Sequence, residues 1–323
     1  MKAIALFSGG LDSTLAMKLI IDQGIEVIAC NINTGFGSTK DRLTHMKNMC
    51  EQVGVEFRSV DIRDEYIREV LFTPKYGYGK NFNPCIDCHG KMFEVAKRKM
   101  QEWGASFLIS GEVLGQRPMS QNSESLQKVL NLSNCEGLLL RPLSAQALEP
   151  TIPELEGWVD RDKLEHIVGR NRDRQMELAE SFGLKDYEAP GGGCLLTDEK
   201  FSNKIRDFIA HDTLTIEDIP TLKYGRQLRL PEGAKFIIGR NAEDNAILEA
   251  IENPKYIHID TELFGPHSLI SHDASDNDKM LAAKLMLAYC KPGFEGEQTL
   301  MFGEEAITTV SDMSRHDSQK YFI

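Results

Sequence analysis

An apolar run at the start of the chain, Ala3-Ile4-Ala5-Leu6-Phe7, breaks into Ser8-Gly9-Gly10-Leu11-Asp12-Ser13-Thr14 and then into a helical pattern. Strand, glycine turn and helix in that order commit these residues to a βα unit whose turn suits an anion. Gly9 and Gly10 let backbone N–H groups approach a ligand closely. Ser8, Ser13 and Thr14 add hydroxyl donors, and the helix contributes the positive end of its dipole. A phosphate is the expected guest. Asp12 is out of place beside one unless it caps the helix or helps to hold a magnesium ion.

The helical pattern runs from Leu15 towards Gly24, and Glu26-Val27-Ile28-Ala29-Cys30-Asn31-Ile32 reads as a second strand. Helical patterns at 39–53 and 91–103 then alternate with strand patterns at 56–60 and 106–110. This alternation predicts an α/β fold, a Rossmann-like parallel sheet with helices on both faces and its ligand at the carboxyl ends of the strands. One such end is Asn33-Thr34-Gly35-Phe36, where an adenine or ribose pocket is expected. Another is Ser110-Gly111-Glu112, followed by Val113-Leu114-Gly115-Gln116. Asn33, Ser110, Gly111 and Gln116 therefore join Ser8, Gly9, Gly10, Asp12, Ser13 and Thr14 as expected nucleotide-binding residues.

With 323 residues and 41% hydrophobic content the chain can bury a large core, and two domains are expected. We place the first at 1–185, a glycine–cysteine loop and helical linker at 186–222, and a smaller α+β domain at 223–323. No apolar run approaches the ~18 residues of a membrane span, and no signal-type segment opens the chain, so a cytoplasmic location is expected. The net charge of −12 argues against whole-surface attraction to nucleic acid but leaves room for a local basic groove. Seven cysteines in a reducing compartment read as ligands, catalysts or core residues rather than as a disulfide framework.

Two cysteines stand in Asn83-Pro84-Cys85-Ile86-Asp87-Cys88-His89, within a polar stretch expected as a loop before the 91–103 helix. A lone Cys-x-x-Cys suits a redox pair, half a zinc site or part of an iron–sulfur site. No second pair exists. The best third partner is Cys194, in Gly191-Gly192-Gly193-Cys194-Leu195-Leu196-Thr197-Asp198, where the glycines expose the thiol. Three thiolates leave one position open on a [4Fe-4S] cluster, where sulfide can be held. Without metal, one cysteine carries a persulfide and another resolves it. Both readings stay open, and loop cysteines with a purely structural role are the plain alternative. Cys30, Cys50, Cys135 and Cys290 sit in apolar or helical patterns and read as core.

The Ser8–Thr14 loop lacks the Gly-Lys-Ser/Thr of a P-loop kinase and the third glycine of a dinucleotide fingerprint. It resembles instead the pyrophosphate-binding loop of the N-type ATP pyrophosphatases, or PP-loop enzymes. Together with Asn83-Pro84-Cys85 and Gly193-Cys194 it is similar to the tRNA 2-thiouridylases, while Ser110-Gly111-Glu112-Val113-Leu114-Gly115-Gln116 and Arg141-Pro142-Leu143 are closer to 4-thiouridine synthetases. The resemblance covers about the first two thirds of the chain. It implies an ATP- and Mg2+-dependent tRNA sulfurtransferase that adenylates a uridine oxygen and replaces it with sulfur, releasing AMP and pyrophosphate. Cys85, Cys88 and Cys194 are then catalytic, with a [4Fe-4S] cluster as one form of the site. Lys91 is assigned to charge on the α-phosphate, and Asp12 or Asp87 to magnesium or proton transfer. The implied partners are tRNA and a sulfur donor, either sulfide or a persulfide carrier, with a homodimer as an admissible assembly. THUMP, ferredoxin-like and rhodanese-like modules are not recognisable, so sulfur is expected to come from another protein or from solution.

The last third changes character. Lys223, Arg226, Arg229, Lys235 and Arg240 stand against the single acid Glu232 in a strand-like stretch that suits a phosphate backbone. Gly239-Arg240-Asn241-Ala242 and Gly265-Pro266-His267-Ser268 are similar to the RNA-binding region of the NFACT proteins. Arg170, Arg172 and Arg174 lie near the expected domain junction and offer further phosphate contacts, diluted by Asp173 and Glu177. Two other functions fit the same loop. An ammonia-dependent amide ligase would not need the thiols, and a non-catalytic RNA-binding adaptor would make no AMP.

Overall fold

The computed structural model describes residues 1–38, 42–187 and 193–323. The chain forms two compact units, Met1–Thr197 and Asp198–Ile323. In the first, the elements run β1 (Lys2–Leu6), α1 (Leu11–Ile21), β2 (Glu26–Asn33), α2 (Arg42–Val53), β3 (Glu56–Asp61), α3 (Arg63–Tyr66), α4 (Cys85–Trp103), β4 (Phe107–Ser110), α5 (Ser123–Ser133), β5 (Leu139–Leu140), α6 (Ile152–Leu155) and α7 (Asp173–Ser181). The strands form one parallel sheet in the order β3-β2-β1-β4-β5.

β1 is central and nearly continuous in apolar residues because helices cover the sheet. Ala3, Ile4 and Ala5 are buried, and Leu15, Leu19, Met46, Met49, Val53, Leu178 and Ala179 from α1, α2 and α7 join one core with Ala3 and Ala5. α4 packs on β1 and β4 and against α5. Gly90 permits that close helix pairing, since a Cβ there would lie 2.6 Å from Leu132 Cβ. Leu6 pairs with Cys30 on one side and with Ser110 on the other, so β1 and β4 end level while β2 runs on to Asn33. The sheet order reverses at β1, which opens a crevice at those carboxyl ends.

Two local features differ from the sequence expectation. The helix expected at 91–103 begins at Cys85, so the cysteine pair occupies the first turn of α4 rather than a loop. β5 is only two residues long, too short to show a period. Of the helix expected at 39–53, Thr39 falls outside the described residues, and α2 spans Arg42–Val53.

The second unit runs α8 (Glu199–Ile209), α9 (Asp218–Lys223), β6 (Arg226–Arg229), β7 (Lys235–Ile238), α10 (Ala242–Glu249), β8 (Tyr256–Asp260), β9 (Ser268–Ser271), α11 (Asp276–Tyr289), β10 (Glu297–Phe302) and β11 (Glu305–Val310). Its six strands form an antiparallel sheet in the order β11-β10-β8-β9-β7-β6. Phe236, Ile238, Ile259, Ile270, Leu300 and Phe302 pack beneath Ala282, Leu285 and Met286 of α11. The stretch 186–222 contributes α8 and α9 to this unit. Among the described residues no helix is long and apolar enough to cross a membrane.

Candidate nucleotide and thiol site

The loop after β1 is shaped by its glycines and held from α2. Gly9 adopts φ +81°, a conformation that favours glycine. Its carbonyl meets His45 Nε2 at 3.1 Å, and Arg42 Nη2 donates to the Ser8 carbonyl at 2.9 Å. Ser13 Oγ and Thr14 Oγ1 donate to the Gly10 carbonyl at 2.8 and 3.1 Å, so these hydroxyls brace the helix start. The groups left facing outward are those of exposed Ser8 and the first N–H groups of α1. Asn33 lies at the end of β2, but its Oδ1 accepts from Gly35 N at 3.0 Å and so closes its own turn. Phe36 is fully buried against Tyr66, which makes it core rather than the wall of an adenine pocket.

The opposite wall comes from the end of β4. Ser110 Oγ accepts from Glu112 N at 3.0 Å. Gly111 touches the first turn of α1 so closely that a Cβ would fall 2.5 Å from Ser13 N. Gln116 Nε2 reaches across to Asp12 Oδ2 at 2.7 Å, and Arg172 Nη2 donates to Asp12 Oδ1 at 2.9 Å. Both carboxylate oxygens of Asp12 are thus engaged by protein donors. Buried Gln175 completes the chain by donating to Gln116 Oε1 at 3.1 Å.

Behind this wall lies a buried ion cluster. Glu112 accepts from His89 Nδ1 at 2.8 Å and from Arg141 Nε at 2.9 Å, with Glu112 and Arg141 about one-twentieth exposed. Burial alone would raise the Glu112 pKa, but Arg141 and His89 outweigh it and lower it from 4.5 to about 2. The cluster therefore contributes stability above about pH 4.5 and loses it as pH falls towards 2, a loss on the order of 3 kcal/mol. Urea midpoints across this range should fall more steeply for the natural chain than for Glu112→Gln. Parallel curves would contradict the assignment.

The cysteines gather beside the same edge. Gly37 and Cys194 form an antiparallel bridge, and Leu195 N donates to the Phe36 carbonyl at 2.9 Å. Cys194 is thereby fixed against the segment that follows β2. Cys85 Sγ accepts from Asn83 Nδ2 at 3.1 Å, and Asn83 is itself buried. Burial pushes the Cys88 thiol well above its usual range, and the nearby Cys194, Cys85 and Asp87 add to this against a hydrogen bond from Tyr66. Among the described residues no three His, Cys, Asp or Glu side chains are arranged to hold a metal ion. Gly191 and Gly192 lie outside the described residues. Cys30, Cys50, Cys135 and Cys290 are buried.

Two expected roles meet a different arrangement. Lys91 Nζ is surrounded by Glu65, Glu69 and Glu94 at 2.5, 2.9 and 2.7 Å. Burial would favour the neutral amine, but the three carboxylates prevail and hold it protonated above its usual range. Its charge is spent within the fold rather than on a phosphate. Asp87 accepts from Lys75 N at 2.7 Å and Tyr76 N at 3.0 Å, so it pins the loop ahead of α4 instead of serving magnesium or protons.

In the second unit the basic stretch is largely neutralised. Arg229 and buried Lys235 both pair with Asp207, and Arg240 pairs with Asp244. Arg226 donates to the Gly239 carbonyl at 3.1 Å and lies over the Tyr289 ring. Sequence counting missed these partners because Asp207 belongs to α8, outside the basic run. β7 and β9 are neighbours, and Gly239 N donates to the His267 carbonyl at 2.9 Å, so the Gly239–Ala242 and Gly265–Ser268 motifs adjoin.

A family model described as tRNA methyl transferase HUP domain matches residues 1–164, and one described as NFACT protein RNA binding domain matches residues 225–322. A tRNA-specific 2-thiouridylase MnmA from Nitratidesulfovibrio vulgaris is 26% identical over 182 residues, covering 53% of this chain and 51% of the relative. Another, from Francisella tularensis subsp. novicida, is 23% identical over 234 residues, covering 69% of this chain and 62% of the relative. The chain thus spans less than two thirds of the length of these relatives. A solved 4-thiouridine synthetase–RNA complex with bound ATP aligns over 69% of this chain and 52% of the other at 18% identity and a TM-score of 0.39, a likeness that carries no argument.

Proposed function

The chain belongs to the tRNA methyl transferase HUP domain family, and on that premise we propose that it is an ATP-dependent tRNA thiolation enzyme acting on a uridine carbonyl. One observation carries the reading: the Gly37–Cys194 bridge brings a cysteine from far along the chain to the sheet edge that also bears the Ser8–Thr14 loop.

Replacing a carbonyl oxygen by sulfur needs a better leaving group, and adenylation supplies one. The base oxygen attacks the α-phosphate of ATP, the bond to the β-phosphate breaks, and pyrophosphate leaves from the loop. Positioning and charge stabilisation by the loop and the α1 N-terminus lower this barrier. A persulfide on one of Cys85, Cys88 and Cys194 then attacks the activated carbon and expels AMP. A second cysteine attacks the inner sulfur of the resulting mixed disulfide, which frees the thiolated base and leaves a protein disulfide. An external dithiol reductant resets the pair, and a persulfide-carrying donor reloads it. No step is routed through a cluster or a resident metal. The match of 225–322 to an RNA-binding domain supports tRNA as the acceptor, held in part by the second unit.

Incubation of the chain with ATP, tRNA, a persulfide donor and a dithiol should yield AMP, pyrophosphate and thiolated nucleoside in equal amounts. AMP without thiolated tRNA would overturn the reading. Stoichiometric iron and acid-labile sulfide after anaerobic purification would replace the persulfide step with cluster chemistry.

A further inference from the structure

Asp12 poses an electrostatic problem that the adenylation scheme leaves unsolved. A carboxylate in the first turn of α1, beside a loop built for phosphates, repels the ligand it should help to hold. The structure places a guanidinium against it. Arg172 stands at the N-terminal end of α7, and its Nη2 donates to Asp12 Oδ1 at 2.9 Å, with both side chains about one-fifth exposed.

The segment that carries Arg172 is strapped to the wall of the site. Leu114 and Val168 form a parallel bridge, and Gly169 N donates to the Leu114 carbonyl at 2.7 Å. Gly115, at φ +80°, lets this strap approach, since a Cβ there would lie 3.3 Å from Gly169 N. One turn into α7, Gln175 locks Gln116, which in turn holds the other oxygen of Asp12. Two side chains, Gln116 and Gln175, and two backbone contacts thus fix one arginine beside one aspartate.

The arginine is incompletely satisfied. Arg172 Nε is buried and bonds to no group among the described residues, and the bond to Asp12 uses only one edge of a planar fork with five N–H donors. A purely structural ion pair would not call for a fork with unused donors facing an anion loop. A phosphate oxygen satisfies those of them that reach the surface, since the side chain as a whole is one-fifth exposed, in the geometry for which guanidinium is suited.

We propose that Arg172 is a polyphosphate-binding side chain of the Ser8–Thr14 loop and that Asp12 serves to aim it. The ligand is the pyrophosphate portion of a nucleoside triphosphate or free pyrophosphate, an assignment that rests on the ATP reading above. Arg172 neutralises Asp12 before the ligand arrives and supplies charge-assisted hydrogen bonds afterwards. Asp12 is a positioning residue in this arrangement.

Titration calorimetry with ATP, pyrophosphate and AMP separately tests it. Arg172→Met should weaken ATP and pyrophosphate by at least roughly tenfold while AMP changes less than about twofold. Arg172→Lys should recover part of the loss, because it keeps the charge without the fork. Added guanidinium should restore pyrophosphate binding to Arg172→Ala. Equal weakening of all three ligands, or unchanged ATP binding in a folded Arg172→Met chain, overturns the proposal. A natural chain that binds pyrophosphate but not ATP would sink the adenylation reading while the Arg172 assignment, read on pyrophosphate, stands.

Discussion

Serine at Cys85, Cys88 and Cys194 together should reduce sulfur transfer to tRNA by at least roughly a thousandfold, equivalent to about 4 kcal/mol of transition-state stabilisation, while ATP affinity stays within about threefold. The reason is spatial. The phosphate loop is held by Arg42, His45, Gln116 and Arg172, whereas the side chains of Cys85 and Cys88 meet Asn83 and Tyr66. A serine hydroxyl keeps the size of the thiol but cannot carry a persulfide or close a disulfide. Nucleotide binding by calorimetry and thionucleoside content by mass spectrometry separate the two effects. Retained transfer would remove the thiols from the chemistry and favour the amide-ligase alternative. A natural chain that binds tRNA and yields no AMP would favour the adaptor.

Gly111→Ala should by contrast damage ATP binding itself, with a loss of about a hundredfold or more and a fall in stability of roughly 1–3 kcal/mol. The added Cβ would sit 2.5 Å from Ser13 N, 2.6 Å from Ser13 Cα and 2.7 Å from the Asp12 carbonyl carbon. All three are backbone atoms of α1, so no side-chain rotation relieves the overlap, and either α1 or the β4 wall must move. Gly9 is a useful contrast. A Cβ there meets the flexible Met46 Cγ at 2.8 Å, so its strain lies mainly in the φ of +81°. Unchanged ATP affinity in Gly111→Ala would show that the wall and the loop do not need this contact.

The parallel sheet was legible because β1, β2 and β4 are apolar runs flanked by helical periods. The thiol helix was misjudged. Pro84 and the polar residues around it read as loop, whereas Pro84 stands just before the first turn of α4, a position where its missing N–H costs nothing. Lys91 and Asp87 carried the right chemistry in sequence, but Glu65, Glu69 and the Lys75–Tyr76 backbone claim them, and those partners lie 11 to 26 positions away. Arg172 was visible only as one of three arginines alternating with Asn171 and Asp173. What singles it out is the strap between residues 114 and 168, a non-local pairing of single residues that leaves no periodic trace.

That strap also sets how short a working piece of this chain can be. A fragment ended after α6 would keep all five strands, the glycine loop and both α4 cysteines, and so would look complete on a topology diagram. It would lack Val168, Gly169, Arg172 and Gln175, leaving Asp12 to face its ligand as a bare anion. Minimal versions of this domain should therefore be cut no earlier than Thr197, which keeps both α7 and Cys194.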